Sequence, residues 1–144
     1  MIQLKIHFDS DVNQGLYQDF CRYLFDQINE TLSDLINDKK LNVRERLIVK
    51  SSVINWTTKV EKINLRYYIE NCLEMVSIKG DYVVRVRRDL RIKNSRSSVY
   101  TLIKLLEYGS ENIPAYPVVR VVLLLYSDIY KNLLVDFIKE RMTQ

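Results

Sequence analysis

Leu105-Leu106-Glu107-Tyr108-Gly109-Ser110-Glu111-Asn112-Ile113-Pro114-Ala115-Tyr116-Pro117-Val118-Val119-Arg120 holds one of the chain's three glycines and both of its prolines. Glycine permits φ > 0, so Gly109 predicts the end of the apolar segment before it. Pro114 fixes its own φ and pushes Ile113 towards an extended conformation. Pro117 sits where a helix can begin, because the first helical position needs no N–H donor. The stretch therefore reads as the end of a short helix (Val99 to Tyr108), a rigid connector, and the start of a long last helix from Pro117 to Met142. Tyr116 stands where a side chain can pack back on that helix as a staple.

Downstream, Val118 to Tyr126 is apolar nearly all round, and the helical spacing continues through Ile129, Leu133, Phe137 and Ile138. A helix apolar on several faces is buried on several faces, which in so small a domain points to cover from another subunit.

Upstream lies the clearest β signal. Leu73, Met75 and Ser77 share one strand face, and Val84, Val86, Leu90 and Ile92 share one face of a second strand. Either Lys79-Gly80 or Gly80-Asp81 turns the hairpin. Parity puts Arg85, Arg87, Arg91 and Lys93 on the opposite face, interrupted by Asp89. Glu74 lies across from Arg85 or Arg87, and Arg88 is the exception on the apolar side. A basic strand face meets phosphates or an acidic protein. It lacks the interleaved aromatics of a single-strand nucleic-acid platform.

Further upstream, Ile2, Leu4, Ile6 and Phe8 alternate with polar residues, predicting a half-buried strand with His7 on its polar side. Ser10 or Asp11 can cap a long helix whose stripe is Leu16, Phe20, Leu24, Ile28, Leu32 and Ile36. Asn37 to Lys40 reads as a polar turn. A helix is predicted from Val43 to Asn55, with Asn42 as its cap and Glu45 at its third position, and Trp56 as a core or interface anchor. Asn94 to Ser98 reads as a polar loop that caps the Val99 helix, and Ser95 to Ser98 as a loop that orders on assembly.

At 144 residues, 47% apolar and 28% charged, the chain is expected to be a single domain over 1–144. The net charge of +4 permits an acidic or nucleic-acid partner without requiring one. The alternating N-terminus reads as a strand, not a signal peptide, and no apolar run approaches the roughly 20 residues of a membrane span. Cys21 and Cys72 form no disulfide framework and no metal pattern, so both are expected as core residues of a reduced intracellular protein. The motifs of nucleotide binding, zinc proteases, thiol redox chemistry and nucleophile elbows are missing. With a single histidine on a terminal strand, a catalytic triad has no support. The reading is a non-enzyme with no cofactor, metal or catalytic residue.

Several of these residues also follow a family order. Leu65-Arg66 precedes the hairpin, Glu107-Tyr108-Gly109-Ser110 ends the short helix, and Pro114-Ala115-Tyr116-Pro117-Val118-Val119-Arg120 leads into the last one. In this order the chain resembles the tail-completion (neck, head–tail joining) proteins of tailed bacteriophages over about its last 80 residues. That family carries a Leu-Arg element, a hairpin, a Glu-aromatic-Gly-Thr motif, a Pro-Ala-x-Pro-aromatic-x-Arg-Pro loop and a C-terminal helix. Here Ser110 stands for the threonine, Val118 for the aromatic and Val121 for the last proline. The resemblance implies an α+β fold, a twisted antiparallel sheet with its hairpin packed against a long N-terminal helix and a C-terminal helix. It implies a virion neck protein, assembled in the host cytoplasm, that forms a homo-oligomeric ring of six subunits between the capsid connector and the tail, with DNA passing through the lumen. It adds Tyr108, Tyr116 and Arg120 to Arg85, Arg87, Arg91 and Lys93 as partner-binding residues. The alternative is a small basic nucleic-acid-binding accessory protein, whose binding would weaken steeply with salt.

Overall fold

In the computed structural model, which describes residues 2–8 and 14–143, the chain is α+β: five helices and a three-stranded antiparallel sheet. The strands are β1 (Gln3–Ile6), β2 (Leu73–Ile78) and β3 (Asp81–Val86), in the order β1-β3-β2. The helices are α1 (Gln14–Leu35), α2 (Asp38–Ser51), α3 (Leu65–Glu70), α4 (Val99–Tyr108) and α5 (Val119–Met142). The proposed caps of α1, Ser10 and Asp11, lie outside the described residues.

Alternation makes β1 what it is. Ile2, Leu4 and Ile6 are buried, while Gln3, Lys5 and His7 face outwards. Register places Leu4, Val84 and Met75 in one inward row, and Gln3, Arg85 and Glu74 in one outward row. The hairpin turns on Lys79-Gly80, since Ile78 pairs with Asp81 and both turn residues have positive φ (51° and 85°). His7 Nδ1 and Lys5 Nζ meet Asp81 at 2.6 and 3.2 Å, and their hydrogen bonds hold its carboxyl below the usual range.

The stripe of α1 is buried as its spacing predicts: Phe20, Leu24, Ile28 and Leu32 are fully enclosed. Each such burial stabilises by about 1.5–3 kcal/mol. α5 runs antiparallel beside it. Tyr126 donates to the Gln27 carbonyl (3.2 Å) and shares a 2.7 Å hydroxyl contact with Thr31. Phe137 packs edge-on against Phe20, and Arg141 pairs with Asp19 at 2.8 Å. Arg66, of the Leu-Arg element, fastens three helices. It bonds Asp38 (2.8 Å) at the start of α2, Glu70 (2.9 Å) in its own α3, and the Ser33 carbonyl (3.3 Å) near the end of α1.

Three expectations are corrected. Residues 38–40 are the first turn of α2, not a separate turn: Asn37 caps it by accepting from Lys40 N–H at 3.2 Å. The helix stops at Ser51, where Ser52 takes a left-handed φ of 59°. Glu45 consequently lies mid-helix, buried, accepting from Ile63 N–H at 3.0 Å. Secondly, β3 ends at Val86, so Leu90 and Ile92 do not continue its inward face. Thirdly, the last helix starts at Val119, two residues beyond Pro117. The Tyr116 hydroxyl accepts from Asn37 N–H at 2.8 Å, which ties the connector to the start of α2.

Cys21 and Cys72 are buried and free, and burial pushes both thiols up to about 12. Labelling with a disulfide reagent at pH 8 should therefore run about a thousandfold slower in the native protein than in denaturant, from the thiolate fraction alone. Rapid native labelling of either cysteine would contradict this packing.

Candidate functional site

The stretch 105–120 folds into a clasp built on one buried carboxylate. α4 begins at Ser98, which accepts from Thr101 N–H (3.2 Å), and ends at Gly109, whose N–H bonds the Leu105 carbonyl (2.7 Å). The connector then closes on itself, Ser110 N–H to the Ile113 carbonyl at 2.9 Å, and returns so that Tyr116 N–H reaches the Leu106 carbonyl at 2.5 Å. This return brings the start of α5 over Glu107, which is 1% exposed. Its carboxylate accepts from Val118 N–H (3.2 Å), Val119 N–H (2.6 Å) and Arg120 N–H (3.4 Å), and from Arg120 Nε (3.1 Å). Arg120 Nη2 donates to the Glu107 carbonyl (2.7 Å), and its guanidinium lies 4.1 Å from the Tyr108 ring centre. Carboxylate charge at a helix N-terminus suits both the unpaired N–H groups and the helix dipole.

The clasp sorts the three motif residues assigned to partner binding. Tyr108 is half exposed, with Arg120 stacked on it at the surface. Tyr116 is 8% exposed and points its hydroxyl inwards, with Arg44 over its ring, so the structure gives it an internal bonding role. From Arg120 the surface continues along α5 to Val121, Leu124 and Leu125, all exposed, Leu124 by 66%. Apolar residues at this spacing form one uncovered face.

The basic strand face does not exist as one face. Arg85 is the only one of the four inside β3, and Glu74, its register partner, takes its Nε at 3.0 Å. Arg87 follows the strand and forks onto Asp89 at 3.0 and 3.1 Å. The chain then bends at Arg88 and Asp89, and Arg88 stacks 4.7 Å from the Tyr100 ring centre instead of pairing with a carboxylate. Arg91 sits in a bridge with Ser98, and Lys93 in the next turn. Strand parity fails because it assumes a strand through residue 93.

The bend leaves Lys93 at the edge of a pocket that Lys62 also lines, while the Arg91 guanidinium donates to the Arg96 carbonyl at 3.0 Å. Sequence reasoning missed Lys62, because only the folded chain brings residue 62 beside residue 93. Glu107 was visible within its motif, but no local signal shows that a carboxylate caps a helix eleven residues later. Among the described residues no group of His, Cys, Asp and Glu could hold a metal ion. No described helix is long and apolar enough to cross a membrane. Comparison with protein-family models, curated proteins and solved structures finds no match to this chain.

Proposed function

We propose that this chain is a structural subunit of a phage neck, a tail-completion ring protein that joins the capsid connector to the tail. The observation that carries the reading is the clasp. The residues that carry the resemblance (Glu107 to Ser110 and Pro114 to Arg120) make one bonded unit, which sets Tyr108 and Arg120 beside the bare apolar face of α5. An uncovered Val121-Leu124-Leu125 row suits contact with a neighbouring subunit, where apolar burial supplies most of the association energy. The outlying cations suit an acidic neighbour in the neck.

Sedimentation of the purified protein over a range of concentrations and at two salt concentrations tests this. The wild-type protein should climb to a ring at high concentration, with little dependence on salt. Leu124→Glu puts a charge in the centre of the row and should weaken self-association by about tenfold or more, while the exposed position leaves the fold unchanged. Identical sedimentation of variant and wild type would remove α5 from the interface.

A further inference from the structure

The loop joining α2 to α3 is pinned to the segment before α4. Trp56 bridges Ser95, Thr57 N–H donates to the Asn94 carbonyl (2.9 Å), and Arg96 N–H donates to the Asn55 carbonyl (2.9 Å). These two segments carry Lys59, Lys62, Arg91, Lys93 and Arg96. None forms an ion pair within 4 Å among the described residues, Lys62 acting on the Glu45 carboxyl only at longer range, whereas Arg66, Arg85, Arg87, Arg120 and Arg141 all do. Between the segments opens a pocket of about 320 Å³, walled by Trp56, Val60, Tyr67 and Tyr68 and edged by Lys62 and Lys93. Trp56 Nε1 is shut away from solvent and has no acceptor among the described residues.

An apolar-walled pocket with cations at its mouth takes a ligand that is part ring or chain and part anion. Stacked bases need a succession of open ring faces. Here Tyr68 is buried with its hydroxyl spent on Lys93 N–H (2.8 Å), and Trp56 is half-buried. Only Tyr67 is open, and it meets Tyr68 edge-on. One free ring does not make a base-stacking track, but it suffices to hold a single apolar side chain.

We propose that this pocket binds an acidic peptide segment of a protein partner. An apolar side chain sits against Trp56 and Tyr67, and flanking carboxylates pair with Lys62 and Lys93. The partner's place in a neck rests on the reading above, but the pocket's chemistry does not.

Trp56 is the only tryptophan, so its fluorescence and its single indole N–H resonance report on this wall alone. The full chain would be titrated with a blocked peptide of one phenylalanine flanked by glutamates, with the same peptide carrying glutamines, and with a single-stranded thymidine octanucleotide. The glutamate peptide should move the indole resonance saturably, and the glutamine peptide should bind at least about tenfold more weakly. Lys62→Ala with Lys93→Ala should weaken the glutamate peptide about tenfold or more, with the remaining amide spectrum unchanged. An indole unmoved by millimolar peptide, equal binding of the two peptides, or tighter binding of the oligonucleotide would each overturn the proposal. A monomer in sedimentation would count against the ring reading and leave this result untouched.

Discussion

Glu107→Ala should lower stability by about 3–5 kcal/mol, because it strips three backbone N–H groups of their charged acceptor. Val118, the N-cap residue of α5, offers no side-chain cap. Glu107 performs that task from another helix, taking the N–H groups of Val118, Val119 and Arg120. Alanine would leave these donors facing a void the size of the missing carboxylate, and a hydrogen bond to a charged group is worth about 1.5–3 kcal/mol. Glu107→Gln should fall between alanine and wild type, because its one acceptor oxygen can keep Val119 while its NH₂ turns towards other donors. Arg120→Ala should cost less, about 1–2 kcal/mol: three backbone N–H groups still hold the carboxylate, and Arg120 is partly exposed. The double variant should lose less than the sum of the single ones, because the pair acts as a unit. Urea unfolding with an unchanged m-value would measure this, and the melting temperature should fall by roughly 10 °C for the Glu107→Ala variant. A loss below about 1 kcal/mol for Glu107→Ala would mean that the clasp does not hold the helix start.

The parts of this fold that were legible in the sequence are those fixed by short periods and by single conformational demands. The alternation of Ile2, Leu4 and Ile6 defines β1, the stripe from Phe20 to Leu32 defines α1, and Gly80 and Gly109 mark a turn and a helix end. Boundaries set by tertiary bonds were less legible. Asn37 and Asn42 are equally good caps on paper, and the choice goes to Asn37, whose own N–H is taken by Tyr116 from the far connector. The candidate site failed for the same reason. Arg85, Arg87, Arg91 and Lys93 alternate in sequence, but alternation means a shared face only while the backbone stays extended. The bend at Arg88-Asp89 ends that condition. Glu74 and Asp89 then pair with two of the four, and Lys93 comes to share a pocket edge with Lys62, about thirty residues earlier in sequence.

Gly109→Ala should destabilise by more than about 3 kcal/mol, whereas Gly80→Ala should cost only about 1–2 kcal/mol, and the contrast separates conformation from contact. Both glycines have positive φ, 73° at Gly109 and 85° at Gly80, a region in which a side chain costs about 1–2 kcal/mol. At Gly80 a Cβ meets nothing within 4 Å, because the hairpin turn projects into solvent. At Gly109 it would stand 2.7 Å from the Ile113 carbonyl oxygen and 2.8 Å from Ala115 N, both backbone atoms that no rotamer change can move. The backbone there, with ψ of −175°, also lies in a region that is essentially glycine's own. Relief would have to come from shifting the connector. That connector sets Tyr116 on Leu106 and Asn37, and sets the first N–H groups of α5 on Glu107. The Gly109 variant should therefore lose the clasp as well as the turn. Amide exchange should show this as faster opening at Val118 to Arg120, with the β2–β3 hairpin unaffected, while the Gly80 variant should show faster exchange only around its own turn. Similar losses in the two variants would mean that the connector yields freely, and that Gly109 serves only as a conformational stop for α4.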